Sequence, residues 1–87
     1  MDVFLHESAE KFLNRLEKKT QETIRVHLKI LSEDPYAQQL DTKKLKGLPN
    51  KPDLFRLRVG DHRIIYFIQD GKIWITEIMR REKGYDF

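Results

Sequence analysis

"FRLRVGDHRIIYF", residues 55–67, sets Arg56, Arg58 and Arg63 among Phe55, Leu57, Val59, Ile64, Ile65, Tyr66 and Phe67. Arginine is costly to bury without a partner, so the pattern asks what these three are for. Gly60-Asp61 reads as a two-residue hairpin loop, and such a loop dictates which residues face each other. Val59 then lies opposite His62, and Arg58 opposite Arg63. A second loop, Asp70-Gly71, suits a type I′ turn and places Phe67 opposite Trp74, Ile65 opposite Thr76 and Arg63 opposite Ile78. Three strands follow, at about 54–59, 62–69 and 72–79.

Side chains alternate across a strand. In this register one face carries Phe55, Leu57, Val59, Ile64, Tyr66, Ile68, Ile73, Ile75 and Met79, which is an apolar surface for helices to cover. The other carries Arg56, Arg58, Arg63, Ile65, Phe67, Trp74, Thr76, Ile78 and Arg80. Arg58 opposite Arg63 is a like-charge pair that destabilises a sheet, and a bound anion would relieve it. The plain alternative is a surface network in which Asp53, Glu77 or Asp86 neutralises the cluster. Strict alternation puts Glu77 on the wrong face for that.

Upstream, "MDVFLHE" reads as a short strand. Ala9, Phe12, Leu13 and Leu16 follow helical spacing behind Ser8 as N-cap. Ile24, His27, Leu28 and Leu31 form a second stripe behind Thr20, and the helix stops at "EDP" because the residue before proline leaves the helical region. Two short helices in tight succession predict an antiparallel helical hairpin. Residues 35–53, with all three prolines, read as a connecting loop. The expected fold is α+β: an N-terminal strand, a helical hairpin and a three-strand antiparallel meander, in one domain over 1–87.

The absence of cysteine excludes a disulfide frame and a thiolate zinc site. No long apolar run or signal peptide is apparent, so a soluble, cytoplasmic chain is expected, away from membranes. The formal charge of +3 is uneven. Residues 1–34 hold seven acids against six Lys/Arg, and residues 35–87 seven against eleven. A basic half suits an anionic partner such as nucleic acid, although a merely lysine-rich surface would look the same. His6, His27 and His62 make no metal pattern, so neither a metal nor another cofactor is expected.

These residues also resemble a family. Leu45-Lys46-Gly47, Phe55-Arg56-Leu57-Arg58-Val59-Gly60 and Arg63-Ile64-Ile65-Tyr66, in the order strand, helix, helix and meander, resemble the RelE/ParE toxin superfamily over the whole chain. Resemblance to the RelE branch implies a toxin–antitoxin toxin that cuts messenger RNA in the ribosomal A site. It would be silenced by a RelB-like antitoxin in a hetero-oligomer. The ParE branch implies a non-enzymatic inhibitor of DNA gyrase. A third reading is a basic RNA-binding or structural relic without activity.

The RelE-type reaction is attack of a ribose 2′-OH on the adjacent phosphate. Arg56, Arg58 and Arg63 suit phosphate by permanent charge and bidentate geometry, but an arginine is no base at neutral pH. The resemblance adds Arg81 and Tyr85 as catalytic candidates, while register favours Arg80 for the basic face. Both arginines stay open, as does a purely structural role for Tyr85 and Phe87 in pinning the C-terminus. Lys43, Lys44 and Lys46, with Arg80, are candidates for RNA contacts. The family's pair of strand lysines is replaced here by Leu54 and Arg56, which removes its usual base candidate. His62 falls on the apolar face and is discounted as base.

Overall fold

The computed structural model describes residues 1–45, 47 and 49–81. Seven elements follow one another: β1 (Asp2–Leu5), α1 (Glu7–Arg15), α2 (Lys18–Glu33), β2 (Asp41–Lys44), β3 (Phe55–Val59), β4 (His62–Gln69) and β5 (Lys72–Arg80). The five strands form one mixed sheet in the order β1-β5-β4-β3-β2. β1 runs parallel to β5 and every other pair is antiparallel.

Both helices begin earlier than the cap residues suggested. His6, not Ser8, caps α1, and its ring nitrogen accepts from the Ser8 backbone N–H. α2 starts at Lys18 behind Glu17, before Thr20 and without a side-chain cap. The tight link between them is held by Gln21, whose side-chain amide donates to the carbonyls of Asn14 and Leu16 at the end of α1. At Asp34 the chain turns extended (φ −152°, ψ 99°), as the following Pro35 requires.

Leu13, Ile24 and Leu31 from the helices meet Leu57, Ile64, Tyr66, Ile73, Ile75 and Ile78 in one core. Both hairpin loops form where expected. Asp70 and Gly71 have positive φ (56° and 72°), the backbone of a type I′ turn, and Gly60 also lies at positive φ.

Two expectations fail. Residues 41–44 are not loop but the edge strand β2, paired with β3 through Asp41–Arg58 and Lys43–Arg56. "DTKK" has no apolar alternation, and the strand exists because β3 offers unpaired backbone groups along its open side. The ladder runs on, as Leu45 N–H donates to the carbonyl of Leu54.

The second failure is register. The β4–β5 pairing shifts at Ile65/Tyr66, where Tyr66 faces Ile75 and Ile65 faces Glu77, which leaves Thr76 as an extra residue. Such a bulge reverses the alternation beyond it. Ile78, expected outside, is buried in the core. Met79 moves to the outer face opposite Arg63, and Glu77 joins the arginine side. Strict alternation would have aimed Glu77 at the helices, and burying a lone carboxylate there is costly. One extra residue exchanges it for an isoleucine. Thr76 Oγ1 donates to the Ile65 carbonyl at 3.2 Å across the irregularity.

Candidate functional site

The helices cover one face of the sheet, and the candidate residues gather on the other. In register this outer face carries Asp41 and Lys43 from β2, Arg56 and Arg58 from β3, Arg63, Ile65 and Phe67 from β4, and Trp74, Glu77 and Met79 from β5. Phe4 from β1 stacks on Trp74 (ring centroids 5.0 Å apart), which in turn lies 6.3 Å from Phe67. The face is therefore aromatic at one end and cationic at the other.

Arg56 and Arg63 are 5% and 1% exposed. A charged side chain is rarely buried so far without a counter-charge. For Arg56 that charge is Asp41, whose Oδ1 lies 3.4 Å from Arg56 Nη2. The other oxygen of the same carboxylate lies 3.7 Å from Arg58 Nη1. Neither Asp53, Glu77 nor Asp86 had this place: Asp53 instead pairs with Lys44 at 3.2 Å, and Asp86 lies outside the described residues. Asp41 was hidden in what looked like a loop. Arg56 Nε has no hydrogen-bond partner among the described residues.

The structure separates the remaining candidates. Lys43 stands beside Arg56 on the outer face, whereas Lys44 is opposite Phe55 and bonded to Asp53. A side chain on Gly47 would bring its Cβ to 2.5 Å from that Asp53 carboxylate, so the glycine keeps room for the pair. The bulge changes the face on which Arg80 falls. Arg80 faces His62, on the side of Val59 and the helices. Arg81 follows the end of β5, where its N–H donates to the Asp61 carbonyl at 2.6 Å. Lys46 and Tyr85 lie outside the described residues.

His62 sits at the rim of the core, edge-on to Phe12. Burial first, and the neighbouring Arg80 second, lower its pKa, against a smaller opposite pull from Asp61. On the core face, burial first and then Tyr36 push the Tyr66 hydroxyl up to about 12, so it stays protonated at neutral pH. Among the described residues no group of three or more His, Asp or Glu comes together as a metal site would need.

Residues 3–85 match the sequence family described as ParE toxin of type II toxin–antitoxin systems. This chain belongs to that family. Its structural likeness falls on the RelE side of the RelE/ParE superfamily. It superposes on RelE in the archaeal RelE–RelB complex of Pyrococcus horikoshii OT3 with a TM-score of 0.82 and 30% identity, over 95% of this chain and 97% of the other. The isolated Escherichia coli RelE toxin shares the fold at 0.75 and 18% identity, over 95% and 86%. The Staphylococcus aureus YoeB dimer does so at 0.71 and 21%, over 94% and 98%. No curated protein matches the chain. The RelE-like α+β fold is thus established, with one more strand than the meander implied.

Proposed function

We propose that this toxin is a ribosome-dependent endoribonuclease of the cytoplasm that cuts messenger RNA and so stops translation. The supporting observation is the outer face itself. Two guanidinium groups, Arg56 and Arg58, converge on one carboxylate, flanked in register by Lys43. A backbone phosphodiester, like that carboxylate, offers two anionic oxygens sharing one negative charge, and guanidinium groups pair with both kinds of anion, so the pair suits an RNA backbone.

In this reading a ribose 2′-OH attacks the adjacent phosphorus, the bond to the 5′ oxygen of the next nucleotide breaks, and a 2′,3′-cyclic phosphate and a 5′-hydroxyl result. Arg56 and Arg58 hold the phosphate and stabilise the charge that grows on it. Arg63, almost wholly buried, contributes a fixed positive charge from beneath. Arg81 closes the site from the end of β5, and Tyr85 stacks on a base or passes a proton. With no lysine at 54 or 56, the ribosome has the larger share in orienting the 2′-OH in line. A RelB-like antitoxin would cover the basic face in the silent complex, as toxins pair with antitoxins in the Pyrococcus horikoshii RelE–RelB and Staphylococcus aureus YoeB–YefM complexes.

The ParE description of the matched family favours a second reading, inhibition of DNA gyrase. That inhibition needs no phosphate-cleaving site. Induced expression decides: the endonuclease produces new mRNA 5′ ends and leaves plasmid supercoiling unchanged. Supercoiling loss or DNA breaks with intact mRNA would overturn it in favour of gyrase.

A further inference from the structure

Asp41 has no part in the reaction outlined above, yet it occupies the position where that reaction needs its substrate. Its two oxygens face different arginines, Oδ1 toward Arg56 and Oδ2 toward Arg58, as two oxygens of a bridging phosphate would. The pairs are loose. At 3.4 and 3.7 Å they exceed the roughly 2.7–2.9 Å of a strong charge-assisted hydrogen bond. The two kinds of partner also differ in freedom. The Arg56 side chain is 6% exposed and held under the sheet surface, while that of Asp41 is 55% exposed on a four-residue edge strand. Arg56 is the fixed part, Arg58 is half-buried with its side chain 38% exposed, and the carboxylate is the most exposed of the three.

We propose that Asp41 is a resident competitor for the phosphate site, an internal anion that occupies the Arg56–Arg58 pair until an RNA phosphate displaces it. This rests on the reading of the outer face as the RNA site. The physical logic is that a buried guanidinium without a counter-charge is costly. A toxin that waits without substrate therefore needs an anion there, and a weakly held, exposed one costs least to remove. The same carboxylate repels any phosphate that approaches, so it sets a threshold on affinity. A residue that merely positioned the arginines would have the opposite effect, since its loss would weaken binding.

The test is binding of a mixed-sequence single-stranded RNA hexamer by fluorescence anisotropy across a KCl series, with thermal unfolding of each variant alongside. Asp41→Asn keeps shape and removes charge. It should bind severalfold more tightly, with a salt slope steeper by about 0.7, one added phosphate contact on a single strand. Asp41→Glu keeps the charge and should bind like the parent. Arg58→Gln should weaken the parent and abolish the gain from Asp41→Asn. Equal or weaker binding by a folded Asp41→Asn overturns the competitor. Should Asp41→Asn fail to fold, Asp41→Ser takes its place with the same two outcomes. If Arg58→Gln leaves the parent's binding unchanged, the site reading itself fails. If Arg58→Gln weakens binding and Asp41→Asn does not tighten it, only the role of Asp41 is lost.

Discussion

β3, β4 and β5 present two faces that are equally buried at their centres and chemically opposite. Toward the helices stand Leu57, Ile64, Tyr66, Ile73, Ile75 and Ile78, none more than 3% exposed. Away from them, Arg63 is 1% and Arg56 5% exposed. The first face is held by apolar burial, which is non-directional and needs only shape. The second holds charges out of water, and each must be met by a counter-charge in a defined place. Asp41 meets Arg56, and the half-buried Arg58 beside it, from a strand that the first face does not require. The difference teaches where function resides: one face makes the sheet stable, and the other uses that stability to keep cations close together.

The largest effect should come from the apolar face. Leu57→Ala removes a fully buried side chain and should cost about 2–5 kcal/mol in urea unfolding. A loss under about 1 kcal/mol would mean that the helix-covered face is not what carries the stability.

Next is the end of β5, where the bulge turns Arg80 toward His62 and away from Arg63. On programmed ribosomes, Arg81→Ala should lower the cleavage rate about a hundredfold, as expected for loss of a group that stabilises transition-state charge, with RNA affinity nearly unchanged. Arg80→Ala should cut almost as well as the parent. The reverse ranking would place Arg80, not Arg81, at the chemistry.

Arg63 tests whether a charge on the outer face also has a structural part. The like-charge pairing with Arg58 suggests that its removal would relieve strain, but its burial argues otherwise. Arg63→Ala should lower stability by about 1–3 kcal/mol through the space it leaves. A more stable variant would mean that repulsion outweighs packing.

The smallest effect is at the rim. The folded chain disfavours protonated His62, through burial and then Arg80. The unfolded chain therefore takes up the proton first, and stability falls as pH drops through the ordinary 6.5 toward the lower folded value, then levels off. A His62→Gln variant should lose this part of the pH dependence in unfolding curves between pH 7 and 5. Identical profiles for parent and variant would remove His62 from the account.

Much was legible without coordinates. Two turn dipeptides pinned both hairpins, because a two-residue loop allows one pairing. Helical spacing found α1 and α2, and Pro35 found the end of α2. The arginine cluster was visible because alternation is strict along β3 and the start of β4. The sequence also carries the mark of the bulge: Ile73, Ile75 and Ile78 are spaced two and then three apart, with Glu77 at the position strict alternation would bury.

What only the tertiary structure decided lies at the sheet's irregular places. β2 has no pattern of its own, since "DTKK" becomes a strand only where β3 leaves an edge to pair with. The bulge at Thr76 arose from the competition between Glu77 and Ile78 for the helix-covered face, which no local propensity expresses. It turned Arg80 to the face of His62, away from Arg63. Asp41 reached Arg56, fifteen residues away, only through β2. Local chain signals specify turns and periods, while counter-charges are matched by whatever strand the finished sheet brings alongside.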